Sequence, residues 1–93
     1  MAIKSDDEVL DFTATHKQWK RAGDSLMGDF EFKTFAQAME FVNQVAEKAE
    51  AANHHPDIDI RWNKVRLLLS THSEGGITEK DLDLARAIQA LIT

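Results

Sequence analysis

Cysteine is absent from the chain, and with it go disulfide staples, thiolate nucleophiles and cysteine-ligated zinc. The absence suits a reducing compartment, and the expected location is the cytoplasm. No apolar run approaches the roughly 20 residues needed to cross a bilayer. Met1 to Glu8 is too polar and acidic for a signal peptide. Basic residues are outnumbered, 11 against 16 acidic, for a formal net charge of −5. Direct binding to nucleic acid, which rests on Lys and Arg at phosphates, is therefore not expected. Nor is a membrane surface, since no dense basic run is present. What is there is ordinary for a globular protein: 43% hydrophobic and 29% charged residues. Ninety-three residues suit one domain, 1–93, with one modest core.

Short alternating elements follow along the chain. Ser5 and Glu8 form a capping box, and Val9, Phe12, Thr13 and His16 follow at helical spacing, which predicts a helix of two to three turns. Trp19-Lys20-Arg21 reads as a short strand, Gly23-Asp24 as a turn, Gly28 as an irregular point, and Phe30-Glu31-Phe32 as a strand of period two. A hairpin over about residues 17–33 is expected. Thr34 and Gln37 open a second helix of about 18 residues, with Phe35, Ala38, Met39, Val42, Val45, Ala46 and Ala49 as its apolar stripe. Phe35, Met39 and Val42 are assigned to the core. Asn53 is a suitable stop, and Pro56 drives His55 out of helical dihedrals. Ile58, Ile60 and Trp62 then alternate, Asn63-Lys64 is placed in a tight turn, and Val65, Leu67 and Leu69 return. Leu68 suggests a second covered face. After Gly75-Gly76, Thr78 and Asp81 cap a last helix carrying Leu82, Ala85, Ile88 and Leu91 or Ile92. The order is α-β-β-α-β-β-α. The expected class is α+β: a four-stranded antiparallel sheet with three helices on one face.

Three of the four histidines sit at element ends or in loops, where functional groups gather. They are His54, His55 and His72. A helix C-terminus favours imidazolium, and Glu50 lies four residues before His54, on the same face if the helix persists. Adjacent imidazoles in different surroundings can serve as acid and base. Metal binding is disfavoured, since neighbouring histidines rarely reach one ion and no His-x-x-x-His spacing exists; Asp57 or Asp59 would have to complete the site. His16 reads as structural or exposed. Asp81 reads as a cap before a catalyst, and Trp62 as packing, although a Trp beside a site can also stack on a flat ring.

The run Glu50-Ala51-Ala52-Asn53-His54-His55-Pro56, followed by Trp62, His72 and Asp81, resembles the signature of the pterin-4a-carbinolamine dehydratases. Phe30 to Phe35, Val45-Ala46-Glu47, Asn63-Lys64-Val65, Thr71-His72 and Gly76 to Asp81 also look like that family, and the resemblance covers about residues 19–90. Trp62 stands where Tyr is more usual. The resemblance implies the same sheet and helices, dimers joined edge to edge and in some members tetramers. It implies dehydration of a 4a-hydroxytetrahydropterin to the quinonoid dihydropterin, the recycling step after an aromatic amino acid hydroxylase. No metal and no organic cofactor takes part. His54, His55 and His72 are then the acid–base and substrate-orienting set. Glu50, Pro56, Trp62 and Asp81 become supporting or substrate-binding residues. Some relatives also stabilise dimers of a transcription factor. A protein partner would need an exposed apolar helical patch, for example around Leu84, Leu91 and Ile92.

Overall fold

The computed structural model describes residues 2–93. Seven elements follow the expected order: α1 (Asp6–Thr15), β1 (Trp19–Ala22), β2 (Ser25–Glu31), α2 (Phe35–Ala52), β3 (Asp57–Arg61), β4 (Lys64–Leu69) and α3 (Glu79–Gln89). The strands form one antiparallel sheet in the order β1-β2-β4-β3. β1 and β3 are its edges.

Alternation decides which sheet face is buried. Trp19, Leu26, Gly28, Phe30, Val65, Leu67 and Leu69 share one face and are buried, while the residues between them point outward. α1 adds Val9 and Phe12 to that core, α2 adds Ala38, Phe41, Val45 and Ala49, and α3 adds Leu82, Leu84, Ala85 and Ile88. The outward face carries charges in cross-strand register. Arg66 lies between Asp29 and Asp59 and bonds Asp29 at 2.8 Å.

Several expectations shift. Gly28 is no irregular point but lies inside β2, opposite Trp19. A Cβ there would meet the indole at 2.8 Å, so the indole packs where only glycine leaves room. β2 begins at Ser25 and ends before Phe32. On α2 the buried stripe runs Ala38, Phe41, Val45, Ala49, a phase that leaves Phe35 51% exposed at the first turn, beyond the sheet. Met39 and Val42 flank the stripe half-buried, and Ala46 is exposed. Leu84 is buried and Leu91 packs against the core, so the apolar patch expected at Leu84, Leu91 and Ile92 reduces to a partly exposed Ile92.

The hairpin turn is displaced by one residue. Arg61 pairs with Lys64, which leaves Trp62-Asn63 as the two-residue loop, with Trp62 at φ 52. Asn63 is buried. Its side chain donates to the Phe32 carbonyl at 2.8 Å, and its own carbonyl accepts from Phe32 N–H at 2.9 Å. These bonds tie the tip to the segment entering α2, and Trp62 is turned out to solvent.

Candidate functional site: two histidine–carboxylate pairs

The end of α2 determines where the first two histidines go. Asn53 takes a left-handed conformation at φ 50, ψ 44. Its N–H reaches Glu50 O at 3.2 Å, and His54 N–H reaches back to Ala49 O at 3.1 Å. This is a Schellman closure, which asparagine tolerates better than most residues. Pro56 then forces extended backbone, and β3 begins at Asp57. Asp57 pairs with Leu68, so the far end of β4 returns beside the histidines. The stretch Ser70-Thr71-His72 leaves the sheet at that same end.

The left-handed residue also sends the histidines apart. His54 Nε2 meets Asp81 Oδ1 at 2.5 Å, across 27 residues of sequence. His55 Nε2 meets Glu50 Oε2 at 2.5 Å. The expected partnership of Glu50 with His54 is therefore replaced. Helical spacing stops at Ala52, and one left-handed step passes the Glu50 side on to His55.

The two pairs sit in opposite environments. The His54 side chain is 11% exposed and Asp81 is fully buried. In the other pair the side chains are 59% and 77% exposed. Asp81 is both cap and partner. As the third residue of α3 its Oδ2 accepts the Thr78 N–H at 2.9 Å, closing the capping box. The same oxygen accepts the Thr71 hydroxyl at 2.9 Å, and Thr71 and Thr78 hydroxyls lie 2.7 Å apart. A carboxylate holding three donors is acceptor-only. His54 then presents Nε2–H to it, which leaves Nδ1 as the nitrogen able to take or give a proton.

His72 is exposed in the turn that follows Thr71, and its side chain has no bonded partner among the described residues. Trp62 is not brought to this cluster. It lies 71% exposed at the other end of β3, about 17 Å of strand away at roughly 3.3 Å per residue. Thr78 was expected as a helix cap and Thr71 only as part of the family-like run beside His72; their burial against Asp81 was not expected, because it depends on the tertiary fold. Sequence reasoning also missed Lys48 and Lys80, which with Ala51, Ala52, Leu84 and His54 line a groove of about 380 Å³ between α2 and α3. A larger hollow of about 700 Å³ lies on the outward sheet face. Histidine is absent from its lining, and its charges answer one another, Arg66 to Asp29 and Arg61 to Asp59. Of the two, the smaller groove is the one with a histidine, His54, in its lining. No three His, Asp or Glu side chains converge in a metal-binding arrangement among the described residues.

Residues 3–91 match the family model described as pterin 4 alpha carbinolamine dehydratase. A candidate pterin-4-alpha-carbinolamine dehydratase of Thermomicrobium roseum is 59% identical over 98% of this chain and 98% of its own. One from Mycobacterium sp. (strain KMS) is 49% identical over 99% and 98%. Among solved structures, a transcriptional coactivator/pterin dehydratase from Brucella melitensis superposes with a TM-score of 0.92 at 31% identity, over 99% of this chain and all of that one. A pterin dehydratase-like RuBisCO assembly factor of the alpha-carboxysome gives 0.70 at 25% identity, over 82% and 90%. With the fold, the His-His-Pro turn and these relatives in agreement, the chain belongs to the pterin 4 alpha carbinolamine dehydratase family.

Proposed function

We propose that the protein removes water from a 4a-hydroxytetrahydropterin to give the quinonoid dihydropterin, with His54, His55 and His72 as its acid–base and orienting groups. The reaction loses the N5 proton and expels the 4a-hydroxyl as water. Both halves are proton transfers between heteroatoms, the work imidazoles do well. The observation that carries the reading is the fully buried Asp81 on His54 Nε2. A carboxylate fixed there sets the tautomer and leaves Nδ1 toward the pterin. His55, held by Glu50 in solvent, and the unpaired His72 supply the second transfer and the alignment of the ring. The groove beside His54 offers space for the substrate, with Lys48 and Lys80 at its edge. No metal or organic cofactor enters this scheme. The substrate class follows the family, with tetrahydrobiopterin recycling as its finer form. The cysteine-free chain suits the cytoplasm. The two unpaired sheet edges suit a homodimer or homotetramer.

Stopped-flow absorbance of freshly generated 4a-hydroxytetrahydropterin tests the reading. The wild type is expected to accelerate dehydration well above a protein-free blank, and His54→Ala and His55→Ala to lose most of that acceleration. A wild type no faster than the blank would sink it. A protein-interaction role would then take its place, as the coactivator and assembly-factor descriptions of the two structural relatives suggest.

A further inference from the structure

Asp81 is held by more than its helix cap, and the direction of the hydroxyl bonds around it is determined. A hydroxyl has one proton to give. Thr71 spends its proton on Asp81 Oδ2 at 2.9 Å, since a carboxylate can only accept. Thr71 therefore accepts at its oxygen from Thr78, 2.7 Å away. Thr78 in turn accepts the Lys80 N–H at 3.3 Å. Thr71 is 4% exposed and Thr78 is fully buried, so water does not compete for these bonds. The result is a pair of hydroxyls donating in one direction, from Thr78 to Thr71 to Asp81 Oδ2, while His54 donates to the other carboxylate oxygen, so that the bonds converge on Asp81. Such chains polarise one another and hold geometry better than separate bonds.

Thr71 has a second attachment. Its N–H bonds Gly76 O at 2.9 Å, and its carbonyl accepts from Glu74 N–H and Gly75 N–H, each at 2.9 Å. The turn it closes carries His72. The N-terminal segment supports the same turn from outside: Ile3 packs against Gly76, and Lys4 N–H bonds Ile77 O at 2.8 Å. One residue thus fixes the carboxylate behind His54 through its side chain and the loop bearing His72 through its backbone.

We infer that Thr71 is a positioning residue of this site. Its hydroxyl keeps Asp81 Oδ1 aimed at His54 and so holds His54 in the Nε2–H tautomer, with Nδ1 free for the pterin. The inference rests on the dehydratase reading for its kinetic consequence, but its structural half stands apart and is measured separately.

Thr71→Val keeps the shape and removes the donor, Thr71→Ser keeps the donor, and Thr71→Cys substitutes a weak one. Each is assayed by dehydration kinetics and by long-range ¹H–¹⁵N spectra of the imidazoles, which report the His54 tautomer directly. Thr71→Val is expected to lower kcat by about 10-fold or more, the effect of losing one hydrogen bond to a charged group, with KM within about twofold. His54 should shift to mixed tautomers. Thr71→Ser should restore both readouts and Thr71→Cys fall between. Should Val unfold the protein, the Ser–Cys difference carries the test. A His54 spectrum that stays in one tautomer in Val or Cys overturns the inference. So does a serine variant as slow as those two, which would assign Thr71 to packing. A wild type without dehydratase activity removes the proposed function and leaves the tautomer measurement to judge Thr71.

Discussion

Two adjacent histidines are each bonded through Nε2 to a carboxylate at 2.5 Å, and the two pairs differ in almost everything else. His55–Glu50 is local, five residues apart and open to water. His54–Asp81 joins the end of α2 to the first turn of α3, inside the protein. An exposed side-chain pair is screened by solvent, and even between full charges it contributes only about 0–1 kcal/mol. A buried carboxylate must have all its bonds, and breaking one partner leaves the rest uncompensated. Equal distances therefore do not mean equal roles. The buried pair has one arrangement, and the exposed pair has many within thermal reach.

The largest expected effect follows from breaking the buried pair. Asp81→Asn keeps the shape but offers an amide to His54 or to Thr71 where both need an acceptor. It is expected to lower kcat/KM by roughly 10²–10³-fold, the range of acid–base contributions, and to cost about 1–3 kcal/mol in denaturant unfolding. In a His54→Ala background the same change should add little further loss of activity, because both substitutions disable one unit. Additive losses would contradict the pairing.

Next in size is the residue that separates the pairs. Asn53→Ala must place a β-carbon in left-handed backbone at a cost of about 1–2 kcal/mol, whereas Asn53→Gly should not lose stability. A roughly tenfold fall in kcat for Ala, in line with that free energy, and near wild-type rates for Gly would show that the Schellman turn aims His54. Equal rates for both would remove it from the argument. Smaller still is Glu50→Gln, expected to cost less than about fivefold, in keeping with a pair worth about 0–1 kcal/mol. Salt near 1 M, where the screening length is about 3 Å, should reproduce most of that loss in the wild type and leave the His54 tautomer unchanged. A Glu50→Gln loss as large as that of Asp81→Asn would abolish the distinction between the pairs.

The fold was largely legible because its signals are local. Capping residues at Ser5, Thr34 and Thr78 mark all three helix starts, and Val65, Leu67 and Leu69 alternate as a half-buried strand should. Errors arose where tertiary placement outvotes pattern. Phe35 fits a helical stripe as well as Phe41 does, and only the position of the sheet selects Phe41. Trp62 continues an apolar alternation, yet register ends β3 before it. At the site, the residue types and the stop at Asn53 were readable. The partner of each histidine was not, since one left-handed residue reassigns Glu50 and the true partner of His54 lies beyond an entire hairpin. Thr71 stands beside His72 in the family-like run, yet its bond to Asp81 was not legible, as that depends on burial.

The smallest expected effect lies just outside the buried pair and separates stability from activity. Arg86, then Lys4, beside Glu79 hold its carboxyl down to about 2 from an ordinary 4.5. Hydrogen bonding to Glu79 pushes its neighbour Asp83 up. A lowered carboxylate stabilises the fold above its unfolded value, and that contribution is lost as pH falls from about 4.5 toward 2. Asp83 acts in the opposite sense, favouring the fold when protonated and losing that contribution as pH rises, so it offsets part of the gain. The cluster is solvent-exposed, and Glu79→Gln should lower the melting temperature at pH 7 by a few degrees at most. The deficit should shrink as pH approaches 2. Activity at pH 7 should stay within about twofold, because Glu79 bonds neither Asp81 nor a histidine, and losing its bond to Lys4 Nζ at 3.0 Å leaves the Lys4 N–H bond to Ile77 O, which supports the His72 turn, in place. A collapse of kcat without a matching fall in melting temperature would mean that the exposed cluster reaches the buried pair after all, and the boundary drawn between them would have to move outward to Lys4.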